Sequence, residues 1–513
     1  MMLLVGSLVA TATNYPGTLV VVIDGNVAQP TQTQIALDKQ ADGKYGLTLK
    51  NFILIQGNDK VFVGNIVLKD IGAEPAQDAM ILKTKQDIRI ENGDAEGVEA
   101  WIGPLLTEEA PIPVELQAVV KDNALIADIT VPLVGQNVKV GFDSRTFQLP
   151  NSGFENFHTA TAGSETSDEP NNWHSFMSCT GSMASMVSSV LRTFISEDIR
   201  PGSDGKKSVL IKSGKVLGII TANGTLTTGQ LKAGGMSTTS TDNNAFLDLN
   251  NEEKDANGDP FYVVLNTLPD SISAWVKFKQ GQPVEKHPYA TMSAVITDGS
   301  YYQEPAPEDA DYSSIIVGQA ECRTIESTGE WQKLTVPFSY ANQTKSPKAI
   351  LVTFSTNADA GEGTGEDELY IDDVELIYNS QLTNLTVNGE TLPGFASDKY
   401  NYEYNFAERK MPTAAELIDM TNPVVTGNEA KSFVSVGEDN TMAIAVLSAD
   451  LLSSHTYTIK FTEGAAGVES ISNSDNAEKA VYTLGGQKVN TMKKGGVYVT
   501  KYANGKTVKS INK

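Results

Sequence analysis

The stretch Ser271-Ile-Ser-Ala-Trp-Val-Lys-Phe-Lys279 alternates with a period of two. Ala274, Val276 and Phe278 fall on one face and Trp275, Lys277 and Lys279 on the other, which predicts a strand buried on one side. The same pattern continues in Glu330–Phe338 (EWQKLTVPF), Ala349–Thr356 and Leu369–Ile377 (LYIDDVELI). Toward the N-terminus, Thr18–Asp24 (TLVVVID), Lys60–Leu68 (KVFVGNIVL), Asp87–Glu91, Leu125–Val131 and Asn137–Phe142 are short and rich in β-branched residues. Gly, Asn, Asp or Pro bound them, as in strands joined by hairpins. The only helix-like run is Met183–Phe194, and its serines weaken it. The chain reads as all-β throughout.

A length of 513 residues fits about three to four domains. With 63 acidic residues against 39 basic ones the net charge is −24, which argues against DNA or RNA as a partner, because phosphate binding needs clustered Lys and Arg. A hydrophobic content of 40% is too high for a wholly disordered chain. Cys179 and Cys322 are too few for a disulfide framework; they form either one bridge or two separate thiols. The four histidines (His158, His174, His287 and His455) are scattered, and this spacing argues against a multi-histidine metal site.

The N-terminus, MMLLVGSLVATATNYPG, is apolar from Met1 to Ala12 and ends in Ala10-Thr11-Ala12. Residues 1–14 therefore read as a signal-peptide-like segment, although no Lys or Arg precedes the apolar run; an apolar first strand is the alternative. The run is too short to span a bilayer, and no other stretch reaches the ~18 apolar residues of a membrane helix. The expectation is export, with a secreted or outer-surface location and no transmembrane segment.

Four regions carry resemblances. Residues 15–144 contain GxxxVxIDG from Gly17, then YGLTLKNFIL, NIVLKDI and IADITVPLVGQNVKVGF. They resemble the calycin-like, lipocalin-type β-barrel domain of exported Bacteroidetes proteins, with an interior expected to be filled by side chains, a small apolar ligand being the alternative. In residues 150–380, GFENF, NNWHSF, GDPFYVVLNTLPDSISAWVKFKQG, EWQKLTVPFSY and LYIDDVELIY follow in order. This series resembles the carbohydrate metabolism domain of Bacteroides-type surface proteins and, more broadly, is similar to jelly-roll carbohydrate-binding modules. The resemblance implies a glycan context without a defined reaction. Residues 381–463, with LTNLTVNG and a late YTI, resemble a cadherin-like β-sandwich spacer. Residues 467–513 carry eight basic against three acidic residues, with LGGQKV, GGVYV and GKTVK in series. They resemble the C-terminal sorting segment of the type IX secretion route.

Catalytic motifs are absent: there is no HExxH, GxSxG, CxxC or phosphate loop, and Ser203-x-x-Lys206 is a chance match. A glycosidase pair of carboxylates cannot be picked out of 63 acids. Asp255-x-Asn257-x-Asp259 resembles the opening of a calcium loop, but Pro260 and Asn266 stand where an EF-hand needs Gly and Glu, so it reads as a solvated acidic loop. The jelly-roll resemblance implies that Glu155 and Asp372 clasp a structural calcium. Trp275 with Lys277 is the candidate sugar platform, rimmed by Tyr301 and Tyr302, because pyranose C–H faces pack on aromatic rings. Trp331 reads as core. The sequence thus predicts glycan binding and polysaccharide capture. The alternatives are a hydrolase or lyase acting through carboxylates not yet named, or a structural adhesin.

Overall fold

The computed structural model describes residues 12–133, 136–341, 344–406, 410–426, 428–463, 480–483, 487–501 and 507–512. Most of the signal-like segment and the start of the sorting-like segment lie outside them. The chain is all-β, as expected, and carries its strands in a series of separate sheets.

The first of these sheets closes on itself. Strands Thr13–Ile23, Thr31–Lys39, Tyr45–Gln56, Asp59–Ala76, Ala79–Ile88, Ile112–Lys121, Ala124–Leu133 and Gln136–Asp143 pair with their neighbours in antiparallel order. The first then pairs with the last, Leu19 opposite Phe142, so no edge remains. Alternate residues point inward, and Leu19, Val21, Ile35, Leu47, Leu68, Leu116, Leu125 and Phe142 pack the interior.

The central region is a sandwich of two five-stranded sheets. One sheet orders Thr193–Ser196, Ser208–Lys212, Glu368–Ile377, Ser271–Lys279 and Gln332–Pro337. The other orders Thr225–Thr227, Ala349–Ser355, Tyr289–Thr297 and Ile316–Glu326, with Val263–Val264 at its side. The face predicted from Ala274, Val276 and Phe278 lies in the core between them, against Met292, Ala294, Ile350, Val352 and Phe354. Trp173 is fully buried there, its ring 5.2 Å from Phe154 and its Nε1 donating to the Pro150 carbonyl at 3.0 Å. The helix read over Met183–Phe194 shrinks to Ala184–Val187, and Thr193–Ser196 is a strand.

The third region packs Leu382–Val387 and Thr421–Val425 against the sheet of Asn401–Phe406, Ser454–Glu463, Thr441–Leu447 and Lys431–Val436. A helix at Ala414–Met420 starts on a capping box, Thr413 with Glu416. This sandwich also holds the barrel. Val20 and Val22, on the outside of the first barrel strand, are buried against Ala445, Leu447 and Leu451. Arg145 joins the two regions by bonding Asp143 on one side and Glu429 on the other.

Candidate functional site

The second central sheet has two unlike faces. Its inner face fills the core. Its outer face carries a row set by strand register, Thr227–Thr353–Ser293–Glu321, with Ser355 and Thr291 in the next row. Further along, Val295 and Leu351 are covered by a small sheet of Gln230–Ala233, Asn243–Leu247 and Tyr302–Glu304. Where that cover stops, the polar rows form the floor of a pocket of about 420 Å³.

Two segments raise its walls. The turn holding the short helix Ala184–Val187 contributes Met183, Met186, Val187 and Leu191, and the hairpin of Gly214–Val216 with Ile220–Ala222 contributes Val216, Leu217 and Ile220. Leu217 and Met236 are each about 60% exposed, so the rim is apolar and open to solvent.

The chemistry sits at the floor. Glu304 accepts from Ser293 Oγ at 2.5 Å and from the Tyr302 hydroxyl at 3.3 Å. Burial pushes its carboxyl above the ordinary carboxylate range, against the hydrogen bonds of Ser293, Thr353 and Tyr302, and the charge of Glu321 pushes the same way as burial. Glu321 is opposite Ser293 in the register and takes a bond from Arg323 at 3.2 Å. Asn223 and Asn244 also line the pocket, each with a buried Oδ1 that has no partner in the protein. The floor therefore offers two carboxyl groups, one of them pushed up by burial, a guanidinium and two amide oxygens without a protein partner, within an apolar wall.

The predicted aromatic platform is divided between two faces. Trp275 and Lys277 lie on the outside of the first central sheet, away from the pocket. Trp275 is covered by the Arg200 guanidinium, 5.6 Å from its ring. Lys277 is buried, paired with Asp198 and seated over Tyr370 and Trp331 at 4.9 and 5.7 Å. Trp331, read as core, belongs to this surface cluster and donates from Nε1 to Asp198 at 3.0 Å. On the other face, Tyr301 stacks on Phe246, and Tyr302 is buried with its hydroxyl on Glu304. Of the four candidates only Tyr302 touches the pocket acid.

Glu155 and Asp372 are both held by the segment 198–207. Glu155 Oε1 accepts from the amides of Lys206 and Lys207 at 2.8 and 3.1 Å. Asp372 is fully buried, and its two oxygens accept from the amides of Arg200 and Asp373 at 3.0 and 2.9 Å. The Arg200 side chain stands on Asp373 beside it. Cys179 and Cys322 are both free thiols, and burial with the nearby Glu169 charge pushes Cys179 up to about 12.

Residues 11–144 match the family model of the calycin-like beta-barrel domain, in agreement with the closed barrel. No curated protein matches the chain. Among solved structures, a provisionally named glycoside hydrolase from Bacteroides thetaiotaomicron is similar at 16% identity and a TM-score of 0.33, over 52% of this chain and 87% of that one. A second protein of that description, from Bacteroides vulgatus, gives 16% identity and a TM-score of 0.30 over 45% of this chain and 97% of its own. A provisionally named outer membrane protein from Bacteroides fragilis gives 12% identity and a TM-score of 0.18 over 67% of this chain and 97% of its own. No helix among the described residues is long and apolar enough to cross a membrane.

Proposed function

We propose that this chain is an exported glycan-binding protein that captures polysaccharide at the cell surface, and that the pocket of the second central sheet receives the end of a sugar chain. The observation that carries the reading is the meeting of Glu304 and Glu321 beneath the Met183–Met186–Leu217 wall. A sugar is amphipathic: its C–H faces pack on aliphatic and thioether groups, while its hydroxyls need directional partners. This pocket supplies both, with Asn223, Asn244 and Arg323 as the fixed polar contacts. Its buried end, closed by Glu304, suits a chain terminus rather than a passing strand. The signal-like N-terminus and the sorting-like C-terminal motifs support the surface location.

The test is calorimetric titration of the full chain with a panel of oligosaccharides that differ in their terminal sugar. Binding to a defined terminus, weakened at least tenfold by Glu304→Ala with the fold intact by circular dichroism, supports the reading. A folded protein with no affinity for any terminus removes it.

Hydrolysis has its own observation in its favour. Glycosidases work through two carboxyl groups at one site, and here Glu304, pushed above the ordinary range by burial, shares a pocket with Glu321. Release of reducing ends by the wild type, lost in both Glu304→Gln and Glu321→Gln, would turn the binding site into an active site.

A further inference from the structure

A second constellation lies outside that pocket. The hairpin of Phe157–Ala162 with Glu165–Pro170 sets His158 directly opposite Glu169. The segment 254–260 closes over them through the Lys254–Pro260 bridge and brings in Asp255. His158 Nε2 stands 3.7 Å from Glu169 Oε2 and 3.6 Å from Asp255 Oδ2. The three ligating atoms lie within 4.8 Å of one another.

Each residue has one polar atom anchored and the other left over. Glu169 Oε1 accepts from the Ser175 amide and hydroxyl, both at 2.6 Å, and from Ser178 Oγ at 3.0 Å. Asp255 Oδ1 accepts from the amides of Asn257 and Asp259 at 2.9 and 2.8 Å. His158 Nδ1 is 3.1 Å from Asn171 Oδ1, an acceptor, so the ring proton belongs on Nδ1 and the lone pair on Nε2. The remaining atoms, His158 Nε2, Glu169 Oε2 and Asp255 Oδ2, are buried without a hydrogen-bond partner in the protein. The side chains of Glu169 and Asp255 are fully buried and that of His158 is 9% exposed.

Three buried polar atoms thus face each other with no hydrogen bond among them, an arrangement that a cation at their centre would satisfy. The separations of 3.6 and 3.7 Å are near the edge of a tetrahedron built on metal–ligand bonds of about 2.1 Å, about 3.4 Å. We infer that His158, Glu169 and Asp255 form a binding site for a divalent transition metal, zinc being the best match to one imidazole and two carboxylates. Calcium fits poorly, since it takes six to eight oxygens and few nitrogens. Glu169 and Asp255 also border a cavity of about 420 Å³ with Cys179 and Gln230. His174, fully buried, stands 3.4 Å from Asp255 Oδ2 outside the trio and acts as its outer partner. The site is independent of the sugar pocket.

The experiment is elemental analysis of the full chain, followed by EDTA treatment and titration with Zn²⁺, Mn²⁺ or Ca²⁺. One equivalent of Zn²⁺ is expected, bound in preference to Ca²⁺, and lost in Glu169→Gln and Asp255→Asn. Cobalt(II) in place of zinc should give the intense visible absorption of a low-coordinate ion. Asn171→Ala, which leaves all three ligands in place, should weaken binding about 10- to 100-fold. Cys179→Ser should not change it. Sub-stoichiometric metal after Zn²⁺ titration of a folded wild type, or binding unchanged in both carboxylate variants, would overturn the site.

Discussion

Replacing Gly25 with alanine tests how the barrel is seated on the third region. Asp24 and Gly25 are the two central residues of the hairpin in which Ile23 pairs with Asn26. Both have positive φ, 50° and 82°, as a type I′ turn requires. An alanine at 25 meets two separable penalties. The backbone conformation costs about 1 kcal/mol for any residue with a Cβ. The new Cβ would also lie 2.2 Å from the Ala443 Cβ, across the contact between barrel and sandwich. Ordinary carbon contacts are about 3.5–4.0 Å, and overpacking of this kind costs about 1–3 kcal/mol. Gly25→Ala should therefore destabilise by about 2–4 kcal/mol in total. Ala443→Gly removes the steric part and leaves the backbone part. Urea unfolding of the wild type, the two single variants and the double variant gives the coupling as a double-mutant cycle, expected at about 1–3 kcal/mol. A coupling below about 0.5 kcal/mol would mean that Gly25 and Ala443 do not touch, and the docking through Val20, Val22, Ala445 and Leu447 would fall with it.

Other outcomes follow from the same geometry. Trp173→Ala empties a fully buried site and strips the Pro150 carbonyl of its donor, at a cost of about 3–5 kcal/mol in urea unfolding, whereas a surface tryptophan would cost under about 0.5. Trp275→Ala should leave oligosaccharide affinity unchanged while Glu304→Ala abolishes it, because the two lie on opposite outer faces of the sandwich; the reverse result restores the tryptophan platform. Glu304 is held above the ordinary carboxylate range by burial, so affinity that uses its proton should fall as pH rises past that range, and Glu304→Gln should flatten the profile. Asp372 is pushed up to about 6, first by burial and then by the Asp373 charge, against the amide bonds it accepts. Its folded value exceeds the unfolded ~3.9, so its contribution is complete below about pH 4 and is lost as pH rises through about 6. The stability difference between wild type and Asp372→Asn should change by at most about 3 kcal/mol over that window, and a flat difference would refute the assignment.

What could be read from the sequence divides along one physical line. Period-two alternation is local, so Ser271–Lys279 declared both its strand and its buried face. Turn chemistry is local too, yet the Asp24-Gly25 hairpin turn and the helix start at Thr413 and Glu416 were not among the features read from the sequence. Burial of an aromatic is not local. Trp331 opens a strand much as a core residue does, yet Asp198, far along the chain, draws its indole to the surface beside Lys277.

The sites were less legible because neither is a motif. The floor of the pocket is written in register, with Ser293, Thr353 and Glu321 coming from three strands, and only Glu304 beside Tyr302 sits in a stretch that attracted notice. Scattered histidines argued only against a multi-histidine site, and a cluster of one histidine with two carboxylates lies outside that reading. In their antiparallel hairpin, His158 and Glu169 are opposite because the turn between them fixes the pairing, whatever their spacing. Asp255 shows the same limit from the other side. Its DxNxD context reads as a solvated loop, and one of its oxygens does serve that loop, through Asn257 and Asp259. The other oxygen is turned inward to His158, and that division of one carboxylate between a turn and a buried cluster appears only when the chain is folded.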